Sequence, residues 1–252
     1  MNSYYIKLNN RISVANIWIE GGTSLDKKDK KGINQILFTL LTRGCNKYDN
    51  YEFSDLLDSY GAELNFEAFE DGISISLKSL REYFDNVFPL LNLLIEEPNL
   101  NKKEFIYCQK ESLNKVIKFK EDHFNIAFNN FKKILYFDHP YSFNCFGDEN
   151  TINLIKYYDI LNEYKSLKKR NKYLLTNSPQ NNFRNLKGFK TCVNDNTNEI
   201  QSKIHIKKNN YIENYSNTKQ TIIIIGSQTC PHNSKDSLSL KILESYLSYG
   251  MS

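Results

Sequence analysis

The chain is poor in proline, in glycine and in paired cysteines. Five Pro and ten Gly in 252 residues favour helices and strands over irregular loops. The cysteine count is odd, the spacings are wide, and no two cysteines form a C-x-x-C pair. This pattern argues against a disulfide framework and a cysteine-based zinc site, and it favours reduced thiols in a cytosol. The cysteines are Cys45, Cys108, Cys145, Cys192 and Cys230.

Long apolar runs are also missing. The first seven residues contain no apolar core of the length that a signal peptide needs. The longest run of aliphatic residues, 222–225, is far too short to cross a bilayer. We therefore expect a soluble, cytoplasmic protein that contacts no membrane.

Neither sign of charge is in large excess. The formal net charge is +4, and basic residues are largely interleaved with acidic ones. The tightest basic runs, 27–31 and 168–170, are short. For runs of this length a solvated surface is a simpler interpretation than a nucleic-acid patch, so we expect no nucleic-acid partner.

Apolar periodicity predicts helices and strands along the first 176 residues. From Ile33 onward, apolar residues recur at i, i+3, i+4, i+7 and i+8, which is one helical stripe. After Gly72, apolar and polar residues alternate as they do in a half-buried strand. The predicted strands are 12–19, 63–69, 72–78 and 172–176, and the predicted helices are 33–41, 50–60, 84–95, 102–137 with an interruption near 121–124, and 151–167.

The composition changes after residue 176. Residues 177–217 are rich in Asn, Thr, Ser and Lys, and we expect little structure there beyond one strand near 204–206. A buried strand at 221–225 and a helix at 237–249 follow. Because one strand and one helix cannot bury their own apolar faces, these residues are expected to begin a second unit that is cut short. The predicted organisation is a first domain, 1–190, a linker, 191–217, and the incomplete start of a second domain, 218–252.

Several short segments occur in a recognisable order. These are a strand at 13–19 followed by Gly21-Gly22-Thr23-Ser24 and Gly32, then Tyr60-Gly61-Ala62-Glu63-Leu64-Asn65, then His139-Pro140-Tyr141 followed by Gly147, and finally Gly250-Met251-Ser252. In order and spacing they resemble insulinase/pitrilysin-type zinc peptidases. The branch they resemble most is that of mitochondrial processing peptidase and its bacterial relatives, over nearly the whole chain.

The resemblance implies an α+β fold. Its elements are a mixed β-sheet backed by helices, a metallopeptidase-like half that is repeated in full-length relatives so as to enclose a chamber. In this chain, the resemblance implies one such half and the start of a second homologous unit.

The resemblance also locates the place where active relatives bind zinc. Their first long helix carries the inverted motif H-x-x-E-H, in which two His hold the metal and the Glu activates water. The matching positions here are Gln35, Phe38 and Thr39, and the third ligand, a Glu about 75 residues later, matches Lys115. We therefore expect no zinc, no other cofactor and no catalytic residue.

Other chemistry-bearing residues have simpler interpretations. The four His residues include no pair at i, i+3 or i, i+4 spacing. His123 beside Asp122, and His139 beside Asp138, are more typical of turns and surfaces than of metal ligands. Nothing in the sequence orients a nucleophile and a base in the pair Cys230 and His232, and a loop is the better interpretation.

An exposed strand edge is the remaining candidate site. In the family that the chain resembles, substrates add as a strand to a sheet edge, which recognises the peptide backbone. The matching residues are Asn65, Phe66, Glu67 and Ala68. Such pairing needs no metal and can outlive the loss of the zinc site. The alternative is a structural edge that binds no ligand.

The leading hypothesis is a non-catalytic subunit that pairs with an active homologous peptidase. It would help to form the chamber and hold extended peptide substrates. The alternatives are a structural subunit, like the family's respiratory-complex core proteins, an active peptidase with an unrecognised site, and a decayed fragment.

Overall fold

The computed structural model describes residues 2–8, 10–137, 139–178, 219–232 and 234–249. Short 3-10 turns at Thr23–Leu25, Lys28–Lys30 and Pro140–Ser142 accompany the longer elements. In chain order these are β1 (Asn2–Tyr5), β2 (Ile12–Glu20), α1 (Ile33–Leu41), α2 (Asn50–Ser59), β3 (Glu63–Ala68), β4 (Gly72–Leu80), α3 (Phe84–Glu96), α4 (Lys102–Glu121), α5 (His123–Leu135), α6 (Glu149–Leu154), α7 (Tyr157–Lys169), β5 (Lys172–Thr176) and α8 (Ser237–Tyr249).

The five strands form one mixed sheet in the order β1-β5-β2-β4-β3. β1 and β5 run parallel, whereas the other neighbouring strands run antiparallel. The register pairs Ile17 of β2 with Ile75 of β4, so that apolar residues of both strands point to the same face. The predicted α+β class with a mixed sheet is confirmed.

Helices cover one face of this sheet. Ile17, Ile75 and Leu174, from three neighbouring strands, are fully buried against them. Within the described residues the opposite face carries no such layer, and Val14 and Leu175 remain about two-fifths exposed there, at 36% and 46%. This one-sided cover explains why apolar and polar residues alternate along β2 and β4.

Two helical predictions differ in outcome. The interruption near 121–124 is confirmed, because the carboxylate of Asp122 accepts the Phe124 N–H at 2.9 Å and so begins α5. The single helix predicted at 151–167 is wrong, since α6 and α7 are separate. Buried Ile155 has an extended backbone between them, and Asp159 accepts the Lys156 N–H at 2.9 Å to cap the new helix.

The strand predicted at 221–225 is also wrong. These residues form no strand, and Ile223 and Ile225 are 76% and 90% exposed. Apolar β-branched residues form a strand only beside another strand, and within the described ranges none lies next to this segment. Instead, Gly226 lies against the Phe131 ring, and the Gln228 side chain donates to the Leu135 carbonyl at 2.6 Å.

The helix predicted at 237–249 is confirmed as α8. The strand predicted near 204–206, the linker 191–217 and the domain boundary at 190 lie outside the described residues. Among the helices that are described, none has the length and apolar character needed to cross a membrane.

Candidate functional site

A buried carboxylate determines where α1 begins. The Asp26 side chain accepts the Gly32 N–H at 2.7 Å and the side-chain amide of Asn34 at 2.5 Å. Burial raises the pKa of Asp26 to about 6. Gly32 has a φ of +94°, and a β-carbon there would lie 2.6 Å from the Phe146 carbonyl oxygen. Only glycine fits this position, so the start of α1 is held against the loop that precedes α6.

The faces of α1 differ in their surroundings. Ile36 and Leu40 are fully buried, and Phe38 is also buried, at 3% exposure. Gln35 and Thr39, one turn apart, are half-buried. The Thr39 hydroxyl donates to the Gln35 carbonyl at 3.0 Å, which occupies its proton within the helix. This face of α1 therefore presents a neutral amide and a neutral hydroxyl.

α4 runs antiparallel to α1. The Arg43 guanidinium, just beyond the C-terminus of α1, lies 2.7 Å from Glu111 and stacks 4.5 Å from the centre of the Tyr107 ring. At the other end of α1, Gly32 contacts Phe146, whose ring packs edge-on against Phe119 of α4. Because the two helices run in opposite directions and touch at both ends of α1, the α1 turn that contains Thr39 lies at the height of the α4 turn that follows Glu111.

Lys115 occupies that turn of α4. Its ammonium lies 3.0 Å from the Glu111 carboxylate, which Arg43 also contacts. Partial burial works against ionisation of Glu111, but the hydrogen bond and charge of Lys115, followed by those of Arg43, outweigh it and hold the pKa of Glu111 below its usual value. Glu111 thus already has two cationic partners, Lys115 and Arg43.

β3 ends the sheet on the side nearest to α1 and α2. At its turn, the Phe69 N–H donates to the Gly72 carbonyl at 2.8 Å. Because hydrogen-bonded and non-hydrogen-bonded pairs alternate in an antiparallel ladder, the register assigns Glu67 and Asn65 to hydrogen bonds with β4. The backbone groups that face the free edge are those of Leu64, Phe66 and Ala68.

A groove of about 520 Å³ runs between this edge and α2. Phe53 and Leu57 of α2 are buried beneath it, beside half-buried side chains of β3, and the surface that it exposes is more polar than apolar. One end reaches Thr42, the residue that caps α1. An extended peptide added to β3 would therefore lie beside the C-terminus of α1. The lining residues are Thr42, Phe53, Ser54, Leu57, Asp58, Ala62, Glu63, Leu64, Asn65 and Phe66.

The family assignment comes from comparison with family models. Residues 5–149, more than half of the chain, match the model for insulinase (peptidase family M16). The chain belongs to the M16 family.

Other M16 proteins are similar over part of their length. The chain is 23% identical over 155 residues to the non-peptidase homolog YmxG of Helicobacter pylori, which is 62% of this chain and 36% of that protein. A peptidase M16 inactive domain from Pseudomonas fluorescens superposes with a TM-score of 0.65 at 17% identity, over 72% of this chain and 45% of that one. A protease from H. pylori gives 0.64 at 18% identity, over 69% and 42%. The chain thus spans about a third of the curated relative and less than half of either solved chain, and the structures establish the fold.

The four residues that the sequence matches to the zinc motif do not have the chemistry of zinc ligands. Gln35 and Thr39 offer weak neutral oxygens, and buried Phe38 offers no donor. Lys115 brings a positive charge that opposes a cation electrostatically. In the parts of the chain that the structure describes, no three His, Cys, Asp or Glu side chains are placed to hold a metal ion. No catalytic step through zinc can be derived from these side chains.

The other residues that the sequence singled out lie at a helix end, in a turn or in an irregular segment. His123 is the exposed first residue of α5, whereas His139 is 3% exposed and accepts the Tyr141 N–H at 3.2 Å, which caps a 3-10 turn. Burial lowers the pKa of His139. Cys230 is half-buried and His232 exposed, in a segment without helix or strand. His205 and Asp138 lie outside the described residues.

The sequence predicts that β3 lies at a sheet edge, and it does. It does not predict that α2 forms the other side of the groove. Phe53 and Leu57 are spaced i, i+4 on α2, and Asp58 follows directly. The apolar spacing was visible in the sequence as a helical stripe. Nothing in it indicated that this stripe packs beside a free strand edge, since that depends on the tertiary fold.

Proposed function

We propose that this M16 chain is a non-catalytic subunit that holds extended peptides at the β3 edge and pairs with an active homologous peptidase. The observation that carries the proposal is the contact between α1 and α4. The residues on these two helices that match the zinc motif, Gln35, Phe38, Thr39 and Lys115, include neither a set of metal ligands nor a base.

The absence of peptidase activity follows from chemistry at these positions. A general base must accept a proton from water, and a phenyl ring cannot do so. The amide of Gln35 and the hydroxyl of Thr39 bind zinc weakly compared with imidazole, and Lys115 disfavours any cation nearby. Together the four differences remove both the metal and the base, so the chain is proposed to cut no peptide bond.

Peptide holding depends on different groups. Leu64, Phe66 and Ala68 direct backbone N–H and C=O groups to the free edge, and a peptide strand can pair with them without a metal. Half-buried Leu64 and Phe66, which line the groove, offer apolar contacts to the neighbouring side chains of such a peptide. Loss of the zinc site leaves all of these groups in place.

The proposal of a partner subunit rests on the family resemblance, because a chain without zinc ligands or a base can take part in cleavage only beside an active homologue. An active homologue would supply the zinc-bound half of a shared chamber, to which this chain would contribute the second wall and a peptide-holding edge.

The test is co-expression with an M16 homologue that has an intact H-x-x-E-H motif. Cleavage of an unstructured fluorogenic peptide is then measured for this chain alone, for the homologue alone and for the pair. We expect no cleavage by this chain alone, and a lower KM for the pair than for the homologue alone. Zinc-dependent cleavage by this chain alone, or absence of any complex, would overturn the proposal.

Two substitutions at one residue separate peptide holding from assembly. Ala68→Pro removes an outward N–H without breaking a hydrogen bond to β4, so it should weaken peptide binding. Ala68→Val adds similar bulk and keeps the N–H, which makes it the matched control. If both variants bind peptide as the unmodified chain does, the β3 edge is not the site.

A further inference from the structure

The turn between β3 and β4 is bound by the residues that follow β2. Three carbonyl groups of the turn accept backbone N–H groups from this segment: those of Phe69, Glu70 and Asp71, from Thr23, Ser24 and Gly21, at 3.2, 3.0 and 2.7 Å. The Ser24 hydroxyl also donates to the Glu70 carbonyl, at 2.6 Å. The tip of a hairpin is ordinarily one of the more mobile parts of a fold. Here the backbone of the tip is fixed by hydrogen bonds to a neighbouring segment.

Two side chains of the same turn are bound by a later part of the chain. Glu70 lies 2.5 Å from the ammonium of Lys132 on α5, and the Tyr141 hydroxyl donates to the Asp71 carboxylate. Burial works against ionisation of Glu70, but the hydrogen bond and charge of Lys132 outweigh it and hold the pKa of Glu70 below its usual value. Burial, followed by the hydrogen bond to Asp71, raises the pKa of Tyr141, so its hydroxyl keeps the proton that it donates.

Tyr141 is itself held in place by the end of α5. Its ring packs edge-on against the rings of His139 and Tyr136, at 4.5 and 5.5 Å between ring centres. The His139 N–H donates to the Tyr136 carbonyl at 2.9 Å, and the His139 side chain accepts the Tyr141 N–H at 3.2 Å. Lys132 and Tyr141 therefore belong to one packed unit, which consists of α5 and the 3-10 turn that follows it.

The position of the β3–β4 turn affects the free edge of β3. Ala68, whose backbone faces that edge, directly precedes Phe69 of the turn. At the other end of β3, the Ala62 N–H donates to the Leu57 carbonyl at 2.9 Å, which ties the start of the strand to α2. A peptide that pairs with a strand binds less tightly if the strand must first be ordered, since ordering costs conformational entropy. An edge strand that is held at both ends is therefore preorganised for pairing.

We infer that Tyr141 and Lys132 are positioning residues for the β3 edge, and that by holding the β3–β4 turn they raise the affinity of this edge for a peptide strand. The inference rests on the proposed peptide-holding function and adds residues that sustain it. Neither side chain has to touch the peptide, because each acts through an acidic residue of the turn, Asp71 or Glu70. The segment His139-Pro140-Tyr141, which the sequence singles out, thereby has a role.

The experiment uses the full chain and a short fluorescein-labelled peptide in which Thr and Leu alternate. Binding is measured by fluorescence anisotropy. Tyr141→Phe removes the hydroxyl and keeps the ring that packs against His139 and Tyr136. Because the turn loses one hydrogen bond, we expect this variant to bind the peptide about threefold more weakly than the unmodified chain.

A second tyrosine provides the matched control. Tyr157 begins α7, and its hydroxyl donates to the Leu100 carbonyl at 2.5 Å. Tyr157→Phe therefore also removes one hydrogen bond of a partly buried hydroxyl, but not one to the β3–β4 turn. We expect it to bind the peptide as the unmodified chain does.

Two substitutions of Lys132 test the other contact. Lys132→Met removes the charge and keeps an unbranched side chain, so it should weaken peptide binding by a similar factor. Lys132→Arg keeps a cation for Glu70 and should restore most of the affinity.

Hydrogen exchange adds a measurement that needs no peptide. The amide groups of Asn65 and Glu67 pair with β4, and their exchange rates report how often β3 opens locally. Tyr141→Phe should speed their exchange about threefold, whereas Tyr157→Phe should not.

The outcomes separate the inference from the proposed function. If the unmodified chain binds the peptide and Tyr141→Phe binds it equally well, peptide holding stands and the inference is overturned. Equal weakening by Tyr141→Phe and Tyr157→Phe, or unchanged exchange of Asn65 and Glu67 in Tyr141→Phe, would also overturn the inference, since the turn would then have no special part. Failure of the unmodified chain to bind the peptide would overturn peptide holding itself, and the inference with it.

Discussion

The ammonium of Lys115 lies 3.0 Å from the carboxylate of Glu111, one turn away on the same helix. Glu111 also contacts Arg43, so one carboxylate is shared by two cations. In this arrangement the negative charge of Glu111 is balanced by two side chains and needs no metal ion. The arrangement also makes the predicted absence of zinc ligands testable, because Glu111 offers a carboxylate one turn from Lys115, the residue that the sequence matches to the third ligand.

Restoring the ligands should restore metal binding. We expect the triple variant Gln35→His, Thr39→His, Lys115→Glu to take up one zinc per chain, because two His and a carboxylate would then lie on the facing turns of α1 and α4. Metal analysis after dialysis, with the unmodified chain as control, provides the measurement. Zinc uptake by the double variant Gln35→His, Thr39→His alone would show that Glu111 is the third ligand and that the assignment of Lys115 is wrong.

Restoring the base is expected to cost stability. Phe38 is 3% exposed, so Phe38→Glu would bury a carboxylate without a partner and lower the free energy of unfolding by at least about 3 kcal/mol. Phe38→Leu keeps an apolar side chain, and we expect a loss of roughly 1 kcal/mol. Urea denaturation of both variants measures the difference. Equal stability of the two would mean that position 38 faces solvent.

The buried carboxylate of Asp26 should give stability an unusual dependence on pH. Burial raises its pKa from the ordinary value of 3.8 to about 6. Below pH 3.8 the group is protonated in both states; between 3.8 and 6 the unfolded chain releases the proton first, so stability falls as pH rises. Relative to Asp26→Asn, which does not titrate, the unmodified chain should lose about 2 kcal/mol between pH 4 and 7. Urea denaturation across this range gives the difference, and a rise instead of a fall would mean that Asp26 is ionised in the fold.

Removing the C-terminal residues should leave the sheet domain intact. Gly226 and Gln228 contact α5, but Ile223, Ile225 and most apolar side chains of α8 remain exposed. A chain that ends at Asn217 is therefore expected to melt within a few degrees of the full chain and to aggregate less. Thermal unfolding and light scattering of the two chains test this. Earlier unfolding or stronger scattering of the shorter chain would show that the tail belongs to the first domain.

The sequence predicted the elements whose local pattern is strong. The helical stripe from Ile33 and the alternation after Gly72 gave α1 and β4 with nearly correct bounds, because each buries one face against the same core. β1 was missed, since the four residues Asn2–Tyr5 are too few to show a period. The strand predicted at 221–225 failed for the opposite reason: its residues favour a strand, but in the part of the chain that the structure describes no other strand lies beside them.

For the candidate site too, the sequence predicts what depends on local pattern and not what depends on tertiary packing. The sequence predicts Gln35, Phe38 and Thr39 on one helix, and α1 carries all three, because the spacing of the motif follows the helical period. The ion pairs of Glu111 with Lys115 and Arg43 could not be predicted, because they depend on the antiparallel packing of α1 on α4. The groove beside β3 depends likewise on where α2 packs.

The place of β5 between β1 and β2 affects how the chain folds as it is made. β2, β3 and β4 can pair once residue 80 has left the ribosome, whereas β1 pairs with β5, and the Ile6 N–H with the Thr176 carbonyl at 2.9 Å. At a synthesis rate of about 5–20 residues per second, the N-terminal strand waits on the order of ten seconds for its partner. Although β1 is translated before the other four strands, it is thus among the last to join the sheet, and during that interval its tyrosines are open to chaperones and proteases.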